Sequence, residues 1–376
     1  MTCRRARVRL VLQRRRPGSA SASRPSGAAR VVLVLGAAAV PACSPHPGAA
    51  QNDGASSAAV AAVGTLNVGF DVTTVREGAG PPFEVGIWYP TERAPEPTSL
   101  GGWTQVVAPG APVAPGRHPL VVVSHGSGGW FGGHYDTALA LAHAGFVVAA
   151  LTHPGDNYQD QSQVTDVAAR PRALRRLVDH MLGEWRDHAA IDTARVGAFG
   201  FSNGGYTVLV AIGGVPDLAR FPAHCAAHPA NDDCSIVRAS ESGVLEQLAD
   251  RFPPSAWARD DRIRAAVVAA PALGFTFAPD GLQGVTAPVQ LWSAADDRVL
   301  PAPEYADAVR DALPTPPEYH LVPGAGHFDF LAPCDPGMAD RMPAICTSAP
   351  GFDRVAFHAE FNRSVVAFFE GALLRP

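Results

Sequence analysis

Three residues far apart in the chain have the types and settings that nucleophilic catalysis needs. The first is Ser202, in the pentapeptide Gly200-Phe201-Ser202-Asn203-Gly204, a G-x-S-x-G string. The apolar stretch before it, RVGAFGF (195–201), reads as a buried strand, and NGGYTVLVAIG (203–213) reads as a helix. A serine between strand and helix stands where a nucleophile elbow needs it. The sharp turn lifts Oγ above the strand end, and Gly200 and Gly204 let the two elements approach without side chains between them. The helix N-terminus there favours a developing oxyanion. Because glycine is 37 of 376 residues, the pentapeptide alone is a weak signal, and its neighbours in space must carry the reading.

The partners follow in a fixed order. SAADDRVLP (293–301) leaves a later strand, and Asp297, in a D-x-V-x-P arrangement ending at Pro301, is the expected acid in preference to Asp296. VPGAGHFDFL (322–331) places His327 on a glycine-flanked loop after the last expected strand, whereas His320, inside that strand, is expected to pack. His327 would take the Ser202 proton while Asp297 fixes its tautomer and stabilises the imidazolium. Two backbone N–H donors are needed for an oxyanion hole. Asn203, next after the serine, is one, and Ser127, in the glycine-rich turn SHGSGGW (124–130), is the other. Trp130, His153 and Phe275 are the expected pocket walls, with core packing the competing reading for each.

The elements that must position these residues alternate in type. LNVGFDVTTV (66–75) and FEVGIWYP (83–90) alternate apolar and polar residues and read as an antiparallel pair. A Pro/Gly-rich connection is expected from there to Arg117. PLVVVSH (119–125), FVVAALTH (146–153), IRAAVVAAP (263–271), PVQLWSA (288–294) and EYHLVP (318–323) are strands, the continuous apolar runs among them reading as buried on both faces. Helices are expected at 134–145, 165–182, 303–313 and 353–374. The fold class is therefore α/β, a mostly parallel sheet with helices on both faces, formed by residues 63–376. Residues 215–261 break the pattern and read as a lid-like insertion after the serine's helix.

Lysine is absent, which excludes Schiff-base or lysine-base chemistry. Residues 1–42 hold nine arginines and no acid; the remainder has 21 arginines against 35 carboxylates, a net charge of −14, which argues against nucleic acid as a partner. The basic start, the ten-residue apolar run VVLVLGAAAV (31–40) and VPAC ending at Cys43 read as an export segment over 1–43, with Cys43 as a lipidation site and Pro41 a departure from the usual box. Soluble secretion and a plain disordered tail are the competing readings. Residues 44–62 read as a tether. Cys225, Cys234, Cys334 and Cys346 form two close pairs, for which the local pairing 225–234 and 334–346 is expected. No cofactor is implied, no spacing points to a metal, and a monomer is expected.

GIWYP, PLVVVSHGSGG, GFVVAALTHPGDN, RVGAFGFSNGG, RIRAAVVAAP, DDRVLP and GAGHFDFL together resemble the α/β-hydrolases. Within these they are similar to the group joining predicted dienelactone hydrolases to platelet-activating-factor acetylhydrolases and polyester-cleaving cutinase-like enzymes. The resemblance spans most of 83–331, and PGFDRVAFHAEFN (350–362) extends it. It implies Ser202 as nucleophile, Asp297 as acid, His327 as base, and Ser127 with Asn203 as oxyanion donors. Dienelactone hydrolases proper have cysteine where Ser202 stands, so the expectation is a serine hydrolase of other carboxylic esters, small or lipid-like. A peptidase or amidase of the same fold, or a non-catalytic binding protein built on it, are the alternatives.

Overall fold

The computed structural model describes residues 66–78, 80–231, 233–235, 252–277 and 280–375. The expected export segment, Cys43 and the tether lie outside the described residues.

Ten strands form the sheet: β1 (Asn67–Val75), β2 (Phe83–Thr91), β3 (Glu96–Leu100), β4 (Trp103–Pro109), β5 (His118–Ser124), β6 (Val147–Leu151), β7 (Ile191–Phe201), β8 (Ile263–Ala269), β9 (Val289–Ala294) and β10 (Glu318–Val322). Their order across the sheet is β10-β9-β8-β7-β5-β6-β2-β1-β4-β3. From β6 to β10 every pairing is parallel, and β2 runs antiparallel to both β1 and β6. This is the mostly parallel α/β sheet the apolar runs predict.

The parallel strands are apolar on both faces because helices cover both. On one face, Leu120 and Val122 of β5 pack with Leu174, Leu177 and Val178 of helix α2 (Ala169–Gly183) and with helix α3 (Asn203–Ala211). On the other, Val121 and Val123 pack with Leu141 of α1 (Tyr135–His143). The closing helix α8 (Arg354–Phe369) adds Phe361, Val365 and Phe369 to that second face. Pro171 falls in the first turn of α2, where the backbone N–H groups have no intrahelical partner, so it costs no hydrogen bond. Helices α4 (Phe221–Ala227), α5 (Ala306–Ala312), α6 (Pro336–Arg341) and α7 (Pro343–Cys346) lie in the connections.

The expected connection between β2 and Arg117 is instead a hairpin, β3–β4, added to the sheet edge through β1. Gly101, at a φ of 59°, makes its two-residue turn with Gly102. A polar side chain hides the strand in the sequence: Gln105 is buried at an inward position of β4, where its Oε1 accepts the Trp88 indole N–H at 2.8 Å. The segment 215–261 contains α4, helical residues 233–235 and short 3₁₀ turns where described, and residues 232 and 236–251 lie outside the described part. Disulfides join Cys225 to Cys234 and Cys334 to Cys346, the local pairing. Among the described residues no helix is long and apolar enough to cross a membrane.

Candidate active site

Ser202 leaves the C-terminal end of β7 with a φ of 55° and a ψ of −121°, a conformation costly for a residue with a side chain. Its surroundings hold it there. The Ser202 N–H donates to Ala269 O at 2.9 Å, and its carbonyl accepts from Ala272 N at 2.9 Å and Tyr206 N at 3.2 Å. A Cβ on Gly200 would come within 2.1 Å of Gly204 O, and one on Gly204 within 1.9 Å of Ser124 O. Both flanking glycines are therefore required by contact between β7, α3 and β5.

The loops after β9 and β10 meet above Ser202. His327 Nε2 lies 3.0 Å from Ser202 Oγ, and His327 Nδ1 lies 2.7 Å from Asp297 Oδ2. The other Asp297 oxygen accepts N–H groups from Val299 (2.9 Å) and Leu300 (2.7 Å), which fixes the carboxylate's direction. A carboxylate only accepts, so Nδ1 carries the imidazole proton and Nε2 is free to accept from the serine hydroxyl. His327 and Asp297 are both buried. Asp296 is exposed, and His320 stacks on Trp292 at 4.0 Å in the sheet, as a packing residue would.

Below the turn after β5 lies a buried ion pair that sequence reasoning does not single out. Asp156 Oδ2 accepts Arg170 Nη1 at 2.6 Å and Asn203 Nδ2 at 3.1 Å, and Oδ1 accepts Gly128 N at 3.0 Å. Ser127 Oγ is 3.4 Å from Asp156 Oδ2 and accepts Asn203 Nδ2 at 3.1 Å. Arg170 also donates to Thr207 Oγ1 and to His125 O. One carboxylate thus ties the Ser127 turn to the first residue of α3. Asp156 stands inside the motif stretch GFVVAALTHPGDN, but nothing local marks it as the residue that Arg170, fourteen positions on, would meet.

A second buried pair anchors the His327 loop. Asp329 Oδ2 accepts Gly326 N at 2.7 Å, and Oδ1 accepts Arg354 Nε at 2.9 Å and Ser348 Oγ at 2.5 Å. Arg354 Nη1 donates to Ile345 O at 3.0 Å.

Two of the three expected pocket walls are elsewhere. His153 is fully buried, its ring turned down onto Ser124 Oγ at 2.8 Å and set edge-on to His125, so it supports the turn from beneath. Phe275 is clasped between His224, stacked at 3.5 Å, and Phe221, and belongs to the core. Trp130 does line a cavity, of about 370 Å³, with Trp103, Tyr158 and Met338. Ser202, His327, Asn203 and Ser127 line a different one of about 220 Å³, together with Leu218, Phe221 and Leu273.

His153 N–H donates to His125 Nε2 at 2.9 Å, so the proton of His125 sits on Nδ1 and goes to Gly126 O at 2.6 Å. Burial, with the Arg170 guanidinium beside it, pushes His125 down to about 3. The same burial, with the charge of Arg170, holds His153 well below the ordinary range. Both rings are neutral props under the turn.

Only one group of possible metal ligands, His224, Asp233 and Cys234, comes together among the described residues. Its sulfur is committed to the disulfide with Cys225, and Asp233 accepts the Tyr305 hydroxyl at 2.8 Å. That donor set does not suit a metal ion.

Among solved structures, the chain is similar to a ferulic acid esterase from Streptomyces cinnamoneus, with a TM-score of 0.57. Identity is 22%, over 85% of this chain and 93% of that one. With the sheet order above, this likeness shows the α/β-hydrolase fold. No protein-family profile and no curated protein matches the sequence.

Proposed function

We propose that this protein is a serine hydrolase of carboxylic esters, related in type to the dienelactone hydrolase and platelet-activating-factor acetylhydrolase group. The observation that carries this is the relay Ser202 Oγ–His327 Nε2–Asp297, at 3.0 and 2.7 Å, with the serine in a left-handed elbow. The fold likeness to a ferulic acid esterase supports an ester as substrate.

Ser202 Oγ bonds to the ester carbonyl carbon as its proton passes to His327 Nε2. The carbonyl oxygen, now an anion, is held by the backbone N–H groups of Ser127 and Asn203. The C–O bond to the alcohol breaks, and the leaving oxygen takes the proton from His327. Water then attacks the acyl-serine with His327 again as base, releasing the acid and the free hydroxyl. Asp156 acts through others: it is a positioning residue that sets the Ser127 turn against Asn203.

Hydrolysis of p-nitrophenyl esters by the wild type and Ser202→Ala tests the reading. The expected loss is about 10⁴-fold or more in kcat. Equal activity of the two proteins, or fluorophosphonate labelling at a residue other than Ser202, would overturn it. The two disulfides fit export from the cytosol, and attachment through a lipid on Cys43 or release as a soluble enzyme completes the proposal. Metabolic labelling with a palmitate analogue separates the two.

A further inference from the structure

The cavity at Ser202 is small. At about 220 Å³ it falls short of the roughly 300–1,000 Å³ that small-molecule sites occupy. The second cavity, about 370 Å³, abuts it along Gly126, Ser127, Phe201 and Phe328, which line both. The shared wall includes Ser127, whose N–H the proposed mechanism aims at the carbonyl oxygen. An ester held there has one apolar space on each side of its reacting carbon.

The second cavity is built from five separate parts of the chain. Trp103, after the β3–β4 turn, stacks on Trp130 of the β5 turn with ring centres 6.0 Å apart and planes 19° apart. Its indole N–H is spent on Pro333 O at 3.0 Å, so the face it shows the cavity is apolar. Met338, Met342 and Ile345 close the far side, on the segment that the Cys334–Cys346 disulfide ties into a loop. No charged side chain lines it, and its one histidine, His125, is held neutral. Methionines adapt to the shape of a ring or a chain, so this wall selects for apolar bulk more than for outline.

We infer that the cavity bounded by Trp103, Trp130, Met338 and Met342 is a second substrate chamber, and that the preferred substrates are uncharged esters carrying an aryl or multi-carbon alkyl group on both sides of the scissile bond. The inference rests on the serine esterase reading and names the substrate class of that site.

Two esters with one leaving group test it: p-nitrophenyl acetate, which has a single bulky arm, and p-nitrophenyl 3-phenylpropanoate, which has two. The quantity read is the ratio of kcat/KM for the second ester over the first. Met342 is 47% exposed, so Met342→Arg brings a charge to the chamber mouth without burdening the core. Leu331→Trp fills the chamber from its side. Each variant is expected to lower the ratio about tenfold or more, the scale on which hydrophobic pockets discriminate. Val72→Arg, on the outer surface of β1, keeps the wild-type ratio. If Ser202 takes a fluorophosphonate and both variants leave the ratio within about twofold of wild type, the chamber assignment alone is overturned. A protein inert to the probe and to both esters overturns the esterase reading and the chamber with it.

Discussion

Asp156–Arg170 and Asp329–Arg354 are the same pair chemically, and all four residues are buried, yet they hold different halves of the site. The first joins elements already fixed in the sheet layers, since Arg170 stands in α2, which packs directly on the strands. Its other ligands are the Ser127 turn and Asn203. The second holds a loop. Asp329 lies two residues past His327, and Arg354, at the start of α8, reaches through Ile345 O to the disulfide-tied segment. The proposed oxyanion donors thus hang from the rigid core, and the proposed base, His327, hangs from a tethered excursion. The lesson is that one ion-pair chemistry becomes sensitive to different conditions according to what it is fastened to.

The strongest way to break the comparison is to remove each cation. Arg170→Met and Arg354→Met each strand a buried carboxylate and are expected to cost about 3–5 kcal/mol of stability, read from urea unfolding. Arg170→Met should be the worse, because the other acceptors it abandons, Thr207 Oγ1 and His125 O, are in buried bonds, whereas Arg354's bonds to Ser348 Oγ and Ile345 O are only partly buried. A variant of either kind unfolding at the wild-type urea midpoint would show that its pair holds nothing. Next in size, Cys334→Ser with Cys346→Ser should cost about 2–3 kcal/mol by releasing a short loop. Fluorophosphonate labelling of Ser202 should slow with it, since the His327 anchor is loosened; removing the Cys225–Cys234 bond should lower stability without that slowing.

Acid should act on the other half. In the unfolded chain His125 takes a proton below about 6.5, whereas in the folded chain it does so only near about 3. The unfolded state therefore binds more protons between these values. The contribution is whole above the upper value and is lost as the pH falls towards the lower, by about 1.4 kcal/mol per unit. His153 adds a loss of the same sign. Unfolding midpoints measured from pH 7 to pH 5 check this, and a flat profile would mean the two rings are not held neutral. The smallest effect on turnover is expected for Asp156→Asn, although by stranding the buried Arg170 guanidinium it should cost stability on the same scale as Arg170→Met. It keeps an acceptor for Gly128 N but turns an amide towards Asn203 and Arg170. Its kcat should fall about tenfold with KM within about twofold, because the oxyanion contacts matter most in the transition state. A rise in KM at constant kcat would assign Asp156 to substrate binding instead.

The candidate triad was legible because its signals are local. Gly200 and Gly204 flank the serine in sequence, Asp297 and His327 follow strand ends, and the strands announce themselves by apolar runs. The β3–β4 hairpin was illegible because Gln105 occupies an inward position and its partner, the Trp88 indole, comes from another strand. His153 and Phe275 look like pocket residues in the sequence because aromatic and imidazole rings after strands often are. Which way each ring turns depends on Ser124 and His224, which no local pattern names.

By itself the sequence determined the parallel sheet, the elbow at Ser202, the order in which Asp297 and His327 follow it, and the two short disulfide loops. Each depends on hydrophobic period or on residues close along the chain. Only the tertiary structure decided which carboxylate lies under the Ser127 turn, which arginine neutralises it, and what walls the second chamber. These depend on groups from three or more distant segments meeting at one point, and that meeting is set by packing across the sheet.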